Sequence, residues 1–181
     1  IEGLRQVKDE TELKLIRESA RIADTVFSEI CLKLKPGISE RDIASEIVYL
    51  LRQKGCDKES FDVIVVSAEN AALPHGQPGN RRLAAGDMVT LDFGGFYEGY
   101  TADMSRTIAI TKASARLQEL YQALLLAQEK GIAMVRAGQS CREIDRAVRE
   151  SLKAYGLDQY FIHGTGHGLG LEIHEQPRIS P

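Results

Sequence analysis

Gly37, Ser39, Ile43 and Gly55 recur as Gly138, Ser140, Ile144 and Gly156, each 101 positions further along the chain. Four features held in one register, each set preceded by a long apolar-periodic run, point to an internal duplication. Two unrelated helical hairpins are the alternative. In the first copy Leu13, Ile16, Ala20, Ala23, Phe27, Ile30 and Leu34 fall at three- and four-residue steps, one face of a long helix. Asp9 with Glu12 supplies a capping-box start, and Pro36-Gly37 is expected to end the run. The Ser39–Asp42 signal opens a second helix carrying Ile43, Ile47 and Leu50, which stops at Gly55. Phe61 to Val66 is rich in β-branched residues and reads as a strand. In the second copy Leu117, Leu120, Leu124, Ile132 and Val135 mark the long helix. A turn at Gly138 and a cap at Ser140–Glu143 follow, then a helix with Ile144, Val148 and Leu152.

The first half also carries a hairpin. Met88 to Gly94 and Tyr100 to Ile110 are strand-like, joined by the turn-rich Gly95-Phe96-Tyr97-Glu98-Gly99. The expected class is therefore α+β: duplicated helix-helix-strand halves with antiparallel pairing. At the same offset the second hairpin would lie beyond about residue 188, past the last residue, Pro181.

A turn centred between Tyr97 and Glu98 puts Asp92 opposite Asp103, Leu91 opposite Met104 and Phe93 opposite Ala102. Thr90 and Ser105 then join the aspartates on a polar face, and a one-residue slip would mix the two faces. Directly opposed carboxylates, with Cβ atoms roughly 4.5–5.5 Å apart, repel. If buried, such a pair needs a shared proton or a bound cation. Oxygen-rich positions of this kind suit Mg, Mn or related divalent ions. From spacing alone, two solvated aspartates are the simpler explanation.

The histidines change that balance. His75 sits in Ala72-Leu73-Pro74-His75-Gly76-Gln77-Pro78-Gly79, a loop by composition. Loops on a rigid scaffold disproportionately carry functional side chains, although a lone loop histidine is more often simply exposed. The stronger signal is His163-Gly164-Thr165-Gly166-His167-Gly168-Leu169-Gly170-Leu171-Glu172-Ile173-His174-Glu175. Glycine at every second position opposes a helix, so the four-residue spacing of His163 and His167 is not that of a helical zinc motif. An extended, close-packed segment is expected, with backbones approaching a site.

The rest of the composition excludes more than it specifies. A length of 181 residues suits one substantial domain. A formal net charge of −3, with basic and acidic residues interspersed, gives no footprint for nucleic acid or a membrane surface. No apolar run approaches the roughly 18 residues of a membrane span. Cys31, Cys56 and Cys141 are odd in number and form no CxxC, so a reducing, cytoplasmic setting is expected. The opening Ile1-Glu2-Gly3-Leu4, without an initiator Met, reads as excised from something longer.

At this point a resemblance emerges. His163 through Glu175 resembles the signature of the proline peptidases, the Xaa-Pro dipeptidases and aminopeptidases of the pita-bread metallopeptidase family. Leu91-Asp92-Phe93-Gly94-Gly95 with Gly99-Tyr100-Thr101-Ala102-Asp103-Met104-Ser105-Arg106-Thr107 is similar to that family's two-aspartate hairpin. Asn70 to Gly76 resembles its histidine loop, and Leu4 to Lys8 the link after a smaller N-terminal domain. The resemblance implies a linker over residues 1–8 and a catalytic domain over 9–181, incomplete at its C-terminal end. It implies Asp92 on one metal, Asp103 bridging two, and His167 as the single nitrogen ligand. His75 and His174 would flank the scissile bond, and His163 would line the substrate pocket. The cofactors implied are two divalent ions sharing a hydroxide, Mn or Co in the first instance, with Fe or Zn as alternatives. The substrate implied is a peptide with proline at its second position, and the assembly a homodimer. Two further glutamate ligands, one also a general base, would follow the signature; Glu172 and Glu175 match other positions. Methionine aminopeptidase-like and creatinase-like enzymes share the scaffold, as would a non-catalytic peptide-binding module.

Overall fold

The computed structural model describes residues 2–73 and 75–181. In chain order the elements are α1 (Glu2–Arg5), α2 (Glu10–Cys31), α3 (Glu40–Gln53), β1 (Lys58–Glu59), β2 (Ile64–Ser67), β3 (Met88–Phe93), β4 (Gly95–Tyr97), β5 (Tyr100–Thr101), β6 (Met104–Ala109), α4 (Ala115–Met134), α5 (Cys141–Lys153), β7 (Gly166–Gly168) and β8 (Glu175–Ile179). They fall into two compact units. The larger is Val7–Ala113 with Leu169–Ile173; the smaller is Ser114–Gly168 with His174–Pro181 and the N-terminal residues through Gln6.

In the larger unit α2 starts at the expected box. Asp9 accepts from the amides of Thr11 and Glu12 at 2.8 and 2.9 Å, and Glu12 accepts from Asp9 N–H at 2.8 Å. The helix ends at Cys31, before Leu34, which packs on the core from the following turn. Ala20, expected on the inner face, is exposed; Ser19 is buried instead and donates to Gly95 O at 2.7 Å. Ser39 and Asp42 cap α3 reciprocally. Its Ile43, Ile47 and Leu51 bury against Ile22, Val26 and Ile30 of α2 and against Val65, Leu91 and Phe93 of the sheet. The sheet order is β2-β3-β6, all antiparallel, and a second small sheet runs β1-β4-β5.

The hairpin register differs from the expectation. Asp92 faces Ser105 and Phe93 faces Met104, so Asp92 and Asp103 are not directly opposed. The turn is centred between Glu98 and Gly99, whose φ values of 46° and 91° are both left-handed. That is the requirement of a two-residue type I′ turn, whose twist matches the strands it joins. The expected and observed registers differ by two positions, and a two-residue shift returns every side chain to its original face. Leu91, Phe93, Ala102 and Met104 are accordingly buried, while Asp92, Asp103 and Ser105 lie on the other face.

In the smaller unit α4 departs from its predicted face. Leu124, Ile132 and Val135 are exposed, whereas Ala123, Ala127 and Gly131 are buried. Small residues let α5 approach closely: a Cβ at Gly131 would lie 2.8 Å from Val148 Cγ2. On α5 the expected Ile144, Val148 and Leu152 are buried. Ser140 occupies the N-cap position, but its side chain makes no capping hydrogen bond among the described residues. β7 stands 101 positions after the last three residues of β2, so the strand of the duplicated unit recurs as well as its helices.

Candidate metal and active site

Two carboxylates come from the larger unit. Asp92, half-buried on β3, accepts a 2.8 Å hydrogen bond from Ser105 Oγ. Asp103 is exposed two positions before Ser105, a diagonal relation to Asp92 that separates backbones by roughly 7–8 Å. Asp103 also lines a cavity of about 210 Å³ with Ile16, Ala20 and Ala23 of α2 and with Ala102 and Met104. At the end of β5, Thr101 donates from its amide and hydroxyl to Gly170 O at 2.8 and 3.0 Å, binding Gly170 to this hairpin.

His75 is exposed in a turn; Pro74, part of the expected loop motif, lies outside the described residues. The turn is pinned behind the histidine. Gly76 N–H donates to Leu73 O at 3.1 Å, and a Cβ at Gly76 would stand 2.7 Å from Val66 Cγ1. Both ends of the loop are tied to one carboxylate. Glu40, fully buried in the first turn of α3, accepts from Ser67 N–H (2.8 Å), Ser67 Oγ (2.6 Å) and Gly79 N–H (3.1 Å). Arg81 donates to Ser67 Oγ at 2.8 Å and forks onto Asp87 at 2.6 and 3.2 Å. The Arg81 hydrogen bond, helped by Ala84 N–H, holds the Asp87 carboxyl below its ordinary range against the effect of burial.

The smaller unit supplies three histidines. His167, on β7, lies with its Nδ1 2.9 Å from Gly168 O. In the neutral ring that bond places the proton on Nδ1 and makes Nε2 the lone-pair nitrogen, the form a metal ligand needs. His174 packs on it, ring centroids 4.4 Å apart and tilted by 59°. His163 is exposed, its Nδ1 2.8 Å from Gly164 O and its ring edge-on to Phe161 at 4.7 Å. Two of the alternating glycines have the expected reason: a Cβ at Gly168 would meet Gln176 O at 2.3 Å, and one at Gly164 would meet Ile179 O at 3.0 Å, whereas one at Gly166 would meet only Ile179 Cδ1 at 3.9 Å. Glu175 is buried and bonded by Arg5, a structural anchor between β8 and α1.

Asp145, nearly fully buried on α5, was not legible as a site residue. Its Oδ1 accepts from Thr165 N–H and Oγ1 at 3.1 and 2.8 Å, and its Oδ2 from Arg149 Nε at 2.8 Å. The available signal was its place beside Ile144 on the apolar stripe of α5, where an acid needs a reason. Glu40 gave less, because an acidic residue in a helix's first turn is ordinary.

Taken by type and unit by unit, carboxylates such as Asp92 and Asp103 and an imidazole such as His167 are donors that suit divalent ions of intermediate hardness. Among the described residues no group of three or more His, Cys, Asp or Glu is arranged to hold a metal ion.

Comparison with known proteins places the chain in a family. The profile of metallopeptidase family M24 matches residues 14–181. An uncharacterised peptidase of Bacillus subtilis, YqhT, is 43% identical over 180 residues, covering 99% of this chain and 51% of the relative. The Xaa-Pro dipeptidase of Pyrococcus furiosus is 38% identical, covering 99% of this chain and 52% of that protein. A solved Xaa-Pro dipeptidase from Bacillus anthracis superposes with a TM-score of 0.97 at 42% identity, covering 99% of this chain and 50% of that one. The chain thus spans about half the length of the curated relatives it matches. With a family match over most of its length and an α+β architecture of the pita-bread type, the chain belongs to metallopeptidase family M24.

Proposed function

We propose that the intact protein is a dinuclear-metal peptidase that hydrolyses the peptide bond preceding proline. One observation carries this: the two-aspartate hairpin and the His163–Glu175 segment stand in order within an M24 chain, whose relatives include proteins named Xaa-Pro dipeptidase. When bound, two divalent ions supply Lewis-acid stabilisation of oxyanion charge and a more acidic water. Asp92 would hold one ion, Asp103 both, and His167 would contribute Nε2. Mn or Co is the first choice, Fe or Zn the alternative. His75 and His174 would donate hydrogen bonds to the scissile amide and to the charge developing on its oxygen. His163 would border the pocket. Proline offers no N–H and a fixed φ, so the pocket must accept a tertiary amide.

Residues 1–8 serve in this proposal as a linker and 9–181 as the metallopeptidase part. Residues 1–181 alone are expected to bind metal weakly and to be inactive. No described helix is long and apolar enough to cross a membrane. A reducing, cytoplasmic setting is part of the same proposal. The resemblance further implies a homodimer.

The test is an assay of the intact protein with Mn2+ or Co2+ on Ala-Pro, Met-Ala and Ala-Ala substrates. Preference for Ala-Pro is expected. Preference for Met-Ala would transfer the assignment to the methionine aminopeptidase type, and cleavage of none would favour a non-catalytic module.

A further inference from the structure

We propose that Asp145 and Arg149 of α5 form a positioning clamp that sets the backbone carrying His163 and His167. Four hydrogen bonds run from this pair to the histidine segment. Arg149 Nη1 donates to Phe161 O at 2.7 Å and Nη2 to His163 O at 2.5 Å. Asp145 Oδ1 takes both the amide and the hydroxyl of Thr165, midway between the two histidines. The members of the clamp are themselves locked by the 2.8 Å bond from Arg149 Nε to Asp145 Oδ2. The Arg149 guanidinium also lies 4.7 Å from the Phe161 ring centroid, and that ring meets His163 edge-on.

Ordinary helix chemistry does not account for this. An acid and a base four residues apart on a solvated helix form a weak, mobile pair. Here the acid is 1% exposed, and the pair bonds the backbone of Phe161, His163 and Thr165 as well as the Thr165 hydroxyl. That backbone has little regular structure of its own before β7: a 3-10 turn ends at Tyr160, and pairing with β8 begins only at Gly166. Alternating glycine leaves the segment conformationally permissive, so something outside it must hold it in place. The planar, five-donor guanidinium spans two carbonyls two residues apart, which a lysine ammonium cannot do with the same geometry. The larger unit uses the same device on different residues, where buried Glu40 takes the amide and hydroxyl of Ser67 before the His75 loop.

The functional half of the proposal rests on His167 being a metal ligand. Outer residues that orient such ligands typically change metal affinity about 10–100-fold when removed. The experiment uses the intact protein with Arg149→Gln, Arg149→Lys and Asp145→Asn, and with Arg146→Gln, exposed on the same helix, as control. Hydrogen exchange without metal should quicken at residues 161–168 in Arg149→Gln and Asp145→Asn, with α4 still protected. Mn2+ affinity should fall at least about tenfold in both, with Arg149→Lys intermediate. Should kcat be measured, it should fall more than KM rises. Exchange at 161–168 matching the Arg146→Gln control in folded variants would overturn the clamp. Quickened exchange with unchanged Mn2+ affinity would overturn its role at the site. His167→Ala separates the two ideas. If it leaves Mn2+ affinity intact, the ligand assignment fails, while the clamp stands or falls on exchange alone.

Discussion

Ser105 Oγ donates a 2.8 Å hydrogen bond to Asp92 Oδ1 across the β3–β6 ladder, where the two residues are direct partners. The hydroxyl orients a carboxylate proposed as a metal ligand. Ser105→Ala in the intact protein should therefore lower Mn2+ affinity by about tenfold or more, and Ser105→Thr should retain most of it. Competition with a metal-sensitive dye checks this. Equal affinity in Ser105→Ala and the parent would show that the bond has no bearing on the metal.

Asp103 is exposed, so its removal should leave the fold standing. Asp103→Asn keeps the shape and discards the charge that would bridge two ions. Elemental analysis of the purified variant should find most metal gone and the thermal midpoint of the metal-free protein nearly unchanged. Full metal occupancy would rule out the bridging role.

Glu40 has the opposite character. It is fully buried, and three donors converge on it from both ends of the His75 loop. Glu40→Ala strands those donors, and hydrogen bonds to a charged group are worth about 1.5–3 kcal/mol each when net effects are measured. Denaturant unfolding should show a loss of at least about 4 kcal/mol. Limited proteolysis should cut first between Ser67 and Gly79. Cleavage elsewhere, with that loop intact, would contradict the tether.

Gly168→Ala tests the reason for the alternating glycines. The new Cβ would stand 2.3 Å from Gln176 O, a backbone atom that cannot swing aside. Forced overpacking typically costs about 1–3 kcal/mol, and here it falls on the β7–β8 pairing. The amides of Gly166 to Gly168 should exchange faster in Gly168→Ala, while those of β2 and β3 should not. Gly37→Ala gives the contrasting case, since nothing lies within 4 Å and the cost there arises from its φ of 94°.

Burial pushes the Asp145 carboxyl upward, but the bonds from Arg149 and Thr165 outweigh it and hold the group below its ordinary value. A carboxylate depressed in the folded state contributes stability above its unfolded pKa of about 3.9 and loses it as pH falls through the lower folded value. The gap in thermal midpoint between the parent and Asp145→Asn should therefore be full at pH 6 and shrink below about pH 4. A gap that widened with acid would reverse the assigned direction.

Much of the scaffold was legible because its signals are local. The Asp9 and Ser39 caps, the left-handed Gly37, Gly55, Gly138 and Gly156, and the alternation of Leu91 and Phe93 each follow from a few neighbouring residues. The inner face of α4 was not, because apolar spacing favours Leu124 and Ile132 while close helix packing favours Ala127 and Gly131. The residue types of the proposed site were visible from composition and resemblance. Their supports were not: Glu40, Asp145 and Arg149 act through bonds to residues 12 to 39 positions away, and a charged residue on a helix usually belongs to the solvent.

The turn at Glu98-Gly99 makes the hairpin behave like a reading frame. An insertion of one residue between Gly99 and Asp103 would send Asp103 toward the core and Met104 toward water, and would be rejected by the fold. An insertion of two would keep both faces in phase and bring Asp103 directly opposite Asp92. Length changes at a remote bend can thus alter the spacing of these two carboxylates in discrete steps, with neither aspartate replaced.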